Sequence, residues 1–170
     1  MKNVSFRHDV LPLKDMLYRL ALRITLKHEE AEDIVQDTLI KVWSKRDDWE
    51  TIASIEAYSL SICRNLALDR LRKRENQHES LDTRLFDTPD QGSTPYEQML
   101  QKDRLQLVKQ MVDNLPEKQR SCMQLRDFEG KTYKEIAQIL SISEDQVKVN
   151  IFRARQAIKQ KYQQIEGYGL

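Results

Sequence analysis

The chain has 170 residues and a mass of 20.2 kDa, room for one ordinary domain or two small ones but not for a large enzyme core. Only four Gly and four Pro, with 32% charged and 39% hydrophobic residues, favour helices and disfavour a turn-rich sandwich or barrel. No apolar run approaches the ~18–20 residues of a membrane span, and the opening MKNVSFRHDV has no apolar signal core, so a cytoplasmic protein without membrane insertion is expected.

From Leu13, the apolar residues Leu13, Met16, Leu17, Leu20, Ala21 and Ile24 recur at steps of three and four, which predicts an amphipathic helix over roughly 10–27. His28-Glu29-Glu30 is an acidic start suited to a helix N-terminus, and Ala31, Ile34, Val35, Thr38, Leu39 and Val42 repeat the stripe to about Lys45. Residues 28–50 hold 8 acids against 3 bases. Acidic surface of this kind commonly serves solubility alone. Ile40 and Trp43, however, lie off the buried stripe beside Gln36, Asp37 and Lys41, an arrangement that suits a protein contact.

The segment Arg46-Asp47-Asp48-Trp49-Glu50-Thr51 breaks the period, and a third helix over about 54–74 carries two apolar rows. One is Ile55, Tyr58, Ile62 and Leu66; the other is Leu60, Cys63, Ala67 and Leu71. Ser61, Asn65 and Asp69 are four apart and share a face, followed by Arg70, Arg72, Lys73 and Arg74. This is either plain polar surface or a short groove for bases beside a phosphate-holding end. Residues 76–93 have no period and collect Asp, Ser, Thr, Pro and Gly, which predicts a flexible acidic linker between two domains, 1–75 and 94–170.

Thr94-Pro95-Tyr96-Glu97 combines an N-cap, a proline at the first helical position and a capping-box Glu, and Met99, Val108, Met111, Val112 and Leu115 carry a fourth helix to Pro116. Pro116 opens a fifth helix that ends near Gly130. Two more capping boxes follow, Thr132-Tyr133-Lys134-Glu135 and Ser143-Glu144-Asp145-Gln146. A short helix, a three-residue turn and a longer helix make a helix-turn-helix. In its second helix Val147, Ile151, Ala154 and Ile158 form the buried stripe, so Lys148, Val149, Phe152 and Arg153 project outward. Residues 146–161 hold 5 bases and no acid. A basic face alone is often just solvated; behind a capped helix and a tight turn it indicates DNA binding.

The cysteines, Cys63 and Cys122, have no CxxC neighbour, and His8, His28 and His78 are scattered, so no disulfide framework, metal site or cofactor is expected. No His, Cys or carboxylate set has catalytic spacing, which argues against a helical enzyme. A free-standing helix-turn-helix regulator explains 132–162 equally well, but leaves the face of the second helix and the groove of the third without roles.

AEDIVQDTLIKVW, the AYSLSICRNLALDRLRK helix, the acidic linker and LPEKQRSCMQLRDFEGKTYKEIAQILSISEDQVKVNIFRARQAIK together resemble a bacterial extracytoplasmic-function (ECF) sigma factor of the sigma-70 family, over about 13–161. The resemblance implies an all-α fold of two small helical domains. It implies that the first, region 2, docks on the clamp helices of the RNA polymerase beta-prime subunit and captures the promoter minus-ten element as single strand. The second, region 4, is implied to bind the beta flap and read the minus-35 duplex. By matching position, Asp33, Gln36, Asp37, Ile40, Lys41 and Trp43 resemble the clamp-binding surface. Residues 47–54, with Asp48 and Trp49, resemble the loop that holds a flipped base, with Ser61, Asn65, Asp69 and Arg72 on the helix behind it. Arg126, Lys148, Val149, Phe152 and Arg153 resemble the minus-35 contacts. Val149 and Asn150 stand where the family often has small polar or basic residues. The resemblance also implies control by a separate anti-sigma factor.

Overall fold

The structure, a computed structural model, describes residues 3–77 and 96–168, with side chains over 3–77 and 103–167. Most of the expected linker, the Thr94-Pro95 helix start and the side chain of Met99 lie outside the described residues. Every regular element among the described residues is helical.

The first domain is a three-helix unit of α1 (Lys14–Thr25), α2 (His28–Ser44) and α3 (Ile55–Asn76). Leu17, Leu20, Ala21 and Ile24 of α1, Ala31, Ile34 and Val35 of α2, and Leu60, Cys63 and Ala67 of α3 converge on one core. The stripes expected from the sequence are the buried ones. The second row of α3, Ile55, Tyr58 and Ile62, faces a smaller cluster built on Val10, Val42 and Trp49. The first helix is shorter than its periodicity suggests, because a widened turn at Phe6–Val10 and a tight one at Leu11–Leu13 precede it. Pro12, without an N–H, suits that entry. Thr25 Oγ1 donates to the Ala21 carbonyl, and Leu26 ends α1 in the left-handed region, its N–H on the Leu22 carbonyl.

The second domain contains α4 (Tyr96–Asp113), α5 (Glu117–Met123), α6 (Tyr133–Leu140) and α7 (Glu144–Tyr168). Pro116 precedes α5, and a widened turn, Gln124–Phe128, prolongs it toward Gly130. Gly130 has φ +69°, the left-handed conformation that favours glycine, and donates to the Arg126 carbonyl. Thr132 Oγ1 accepts from Glu135 N at 3.1 Å to start α6. Ser143 and Gln146 close a reciprocal box at the start of α7: Gln146 N donates to Ser143 Oγ at 3.1 Å and Ser143 N to Gln146 Oε1 at 3.0 Å. Between them Ser141 adopts φ 55°, the sharp turn that sets α7 across α6.

The two domains are packed together. α5 lies on α1 and α6 on α3, and the core of the first domain continues into Cys122, Leu125, Ile139 and Leu140 of the second. Val112, Leu115, Met123 and Ala154 form a separate core of the second domain alone.

Candidate nucleic-acid and polymerase interfaces

On α2 the buried stripe turns one face inward, leaving Asp33, Gln36, Asp37, Ile40, Lys41 and Trp43 exposed together. Ile40 is 65% exposed and Trp43 47%. These two exposed apolar side chains stand beside the carboxylates of Asp33 and Asp37, an arrangement that suits a protein contact. Trp43 is steadied from below: Phe6 meets it edge-on at 5.2 Å between centroids, and the Arg46 guanidinium lies 4.7 Å over its ring. Asp33 is also reached by Arg70 of α3 at 3.8 Å. Phe6 was not legible as part of this site, although Val4, Phe6 and Val10 ahead of Pro12 carry a weak apolar signal.

The loop between α2 and α3 is a turn of tight helix, Arg46–Thr51. Its anchor is Trp49, whose indole Nε1 donates to the Val42 carbonyl at 3.0 Å and whose ring stacks on Phe6 at 6.5 Å. Trp49 therefore departs from its expected role: it is 7% exposed and its ring points into the small core, where a base cannot stack on it. It shapes the loop instead. Asp48 is exposed beside it, with Thr51 Oγ1 donating back to the Asp48 carbonyl at 2.7 Å. Ser54 caps α3 by accepting from Ala57 N at 3.1 Å.

Behind the loop, Ser61 is half-buried while Asn65 and Asp69 are exposed on the same face of α3, as expected. Arg72 is exposed and 3.8 Å from Asp69. Arg74, read from sequence as part of a phosphate-holding end, is occupied: it binds Glu30 and donates to the Thr25 carbonyl at 3.0 Å, tying α3 to the α1–α2 corner. Fewer of these bases are available to phosphates than the run suggests.

On α7, Lys148, Val149, Phe152 and Arg153 all project outward, Val149 44% and Phe152 63% exposed. Val147, Ile151 and Ala154 are buried on the opposite side. Arg155 is bidentate on Asp127, which raises its pKa through that hydrogen bond and fixes α7 to the turn after α5. Arg126 is half-buried, donates to the Lys131 carbonyl at 2.9 Å and stacks 4.5 Å over the Tyr133 ring, with the Lys148 ammonium 5.7 Å from the same ring. Tyr133 is thus a functional candidate that periodicity did not single out.

No group of three or more His, Cys, Asp or Glu capable of holding a metal occurs among the described residues, and no described helix is long and apolar enough to cross a membrane. Cys63 and Cys122 are both free and buried.

Residues 10–77 match the family description "Sigma-70 region 2" and residues 105–158 match "Sigma-70, region 4". The ECF RNA polymerase sigma factor SigL of Mycobacterium tuberculosis is 30% identical over 151 residues, covering 88% of this chain and 84% of its own. The chain belongs to the ECF sigma factors of the sigma-70 family. It is a promoter-recognition factor for transcription initiation by RNA polymerase and not an enzyme. SigW of Bacillus subtilis is 29% identical over 159 residues, covering 87% of this chain and 83% of its own. Among solved structures, the sigma factor RpoE of Bartonella quintana, crystallised with the anti-sigma factor NepR, superposes with a TM-score of 0.72 at 28% identity, over 91% of this chain and 94% of that one. CnrH in complex with the cytosolic domain of CnrY shares the fold, with a TM-score of 0.67 at 20% identity over 93% and 87%.

Proposed function

We propose that this ECF sigma factor divides its work between a clamp-binding and minus-ten domain, residues 1–75, and a minus-35 domain, residues 94–170, joined through 76–93. The observation that carries this reading is the outward face of α7, where Lys148, Val149, Phe152 and Arg153 stand on a helix aimed by two capped N-termini. A helix so presented fits the major groove, about 12 Å wide, with its N-terminal half at the base edges. Arg126, Lys148 and Arg153 supply positive charge to the duplex.

The α2 face, Asp33, Gln36, Asp37, Ile40, Lys41 and Trp43, is assigned to the beta-prime clamp helices, and the second domain also to the beta flap. Asn65 and Asp69, with Ser61 at their edge, Asp48 from the loop and Arg72 beyond, are assigned to the minus-ten strand. A carboxylate such as Asp69 accepts but does not donate, so it favours a base edge bearing an exocyclic amine, as on cytosine or adenine. The resemblance to a sigma factor crystallised with an anti-sigma factor supports regulation by such a partner, and a factor serving RNA polymerase is assigned to the cytoplasm.

The experiment is transcription of fragmented genomic DNA by core polymerase with and without the chain, with mapping of transcript 5′ ends. Chain-dependent starts sharing two upstream elements about 25 base pairs apart support the reading. DNA binding by the chain without any chain-dependent transcript supports a regulator instead.

A further inference from the structure

We propose that Val149, with Phe152 one turn further along α7, reads the 5-methyl group of thymine in the duplex that the second domain binds, and so sets which base pairs that duplex carries there. The inference deepens the minus-35 assignment given above and rests on it.

The two side chains are an apolar interruption of a cationic face. Val149 is 44% exposed and Phe152 63%, and neither belongs to any of the three cores. Residues 146–161 around them hold 5 bases and no acid. At ~100° per residue the order around the helix is Lys148, Phe152, Val149, Arg153, so the centre of the face is apolar and its two margins are cationic. All four stand within the first three turns of α7, the part of a recognition helix that meets base edges. The flanking charge selects a polyanion as the partner, and the apolar centre must then find an apolar group on it.

Much of the polar capacity nearby is already committed. Asn150 Nδ2 donates to the Gln146 carbonyl at 2.8 Å, which turns back onto its own helix the kind of amide that reads adenine. Gln146 Oε1 accepts from Ser143 N in the capping box, and Arg155 is held by Asp127. Hydrogen bonding to base edges falls to Lys148 and Arg153, with Val149 and Phe152 between them.

In the major groove, thymine alone presents an apolar group, its C5-methyl. Set against guanine, adenine or cytosine, Val149 and Phe152 would strip water from a donor or acceptor and return no hydrogen bond, whereas against thymine they bury methyl on hydrocarbon. Branching at Cβ stiffens Val149 and fixes where its methyl groups lie. Three residues of helix rise ~4.5 Å and one base pair ~3.4 Å, so the two side chains address neighbouring base pairs.

The test uses the full-length chain, alone and with core polymerase, and a pool of duplexes randomised over about one helical turn, ~10 base pairs. The enriched sequence should carry thymine at one position or at two neighbouring ones. Each thymine is then replaced singly by deoxyuridine, which lacks only the methyl. At a contacted position wild type should bind about fourfold more weakly, the worth of one buried methyl at ~0.8 kcal/mol, and elsewhere equally well. Val149→Ser and Phe152→Ala, shown to be folded by circular dichroism, should bind the thymine duplex more weakly, and each should become indifferent to the methyl that its side chain covers. Equal wild-type affinity for thymine and uracil at every position, full methyl sensitivity retained in both variants, or no enriched sequence at all overturns the proposal. Transcription from the enriched duplex tests the promoter reading separately: methyl sensitivity without a transcript keeps Val149 and Phe152 as base readers and removes the promoter role, and a transcript without methyl sensitivity does the reverse.

Discussion

The Lys148 ammonium sits 5.7 Å from the centre of the Tyr133 ring, which also carries the Arg126 guanidinium at 4.5 Å, so one aromatic side chain orients two cations from different elements of the helix-turn-helix. Each contact is worth about 0.5–1 kcal/mol at a partly exposed site. Tyr133→Phe should therefore leave minus-35 affinity within about twofold, whereas Tyr133→Leu should cost about two- to fivefold per contact. Fluorescence anisotropy with a minus-35 duplex checks this; equal affinity for both variants removes the ring from the account. Lys148→Ala and Arg153→Ala should each cost about 1–3 kcal/mol if they read a base, with the loss confined to the cognate sequence.

The two tryptophans should separate stability from binding. Trp49 is buried with its indole hydrogen-bonded, so Trp49→Ala should destabilise the protein by about 3–5 kcal/mol, seen as a lowered thermal midpoint. Trp43 is half exposed, and Trp43→Ala should weaken core polymerase binding by about 2 kcal/mol, roughly thirtyfold, with a smaller loss of stability. Asp37→Arg should weaken the same binding. Unchanged polymerase affinity for both would falsify the α2 assignment.

Burial pushes both thiols up, Cys63 and Cys122 each from 9.0 to about 12. Below pH 9 the thiolates are absent in the native chain, and alkylation by iodoacetamide should be far slower than in denatured protein. The linkage has a definite sign: the unfolded chain releases these protons above about pH 9 while the folded chain retains them, so stability should fall as pH rises from about 9 to about 12. Denaturant melts at pH 8 and 10.5 test this, and replacing both cysteines with Ala should flatten the difference.

Ser143 caps α7 and thereby aims the recognition face. Ser143→Ala should cost about 1 kcal/mol of stability, since it leaves Gln146 N without its side-chain acceptor. Thermal melts of the full chain read the loss; a midpoint identical to wild type excludes the cap as a determinant of α7.

The helices, their buried stripes and the outward α7 residues were legible because helical periodicity and capping boxes are local signals. What the sequence concealed depends on contacts distant in the chain. Trp49 looked like loop surface, because its partners Val42, Phe6 and Val10 belong to other elements. The burial of Arg64 and Arg120 had no local signal beyond the place of Arg64 in line with Leu60 and Ala67, since it depends on carbonyls 76 and 96 residues away, Leu140 and Ile24 respectively. Arg74 was masked by the basic run around it, and only the fold brings Glu30 to it.

The most direct measurement is permanganate reactivity of thymines at a mapped start site on linear template, with wild type and Asn65→Ala bound to core polymerase. Asn65 is exposed on the α3 face behind the loop and supports nothing in the described core, so its loss should remove strand capture and little else. The account predicts near-complete loss of reactive thymines for Asn65→Ala at unchanged polymerase affinity, with partial recovery on a premelted template, because flipping a base costs a few kcal/mol that the template then supplies. Wild-type levels of opening by Asn65→Ala on linear template would contradict it.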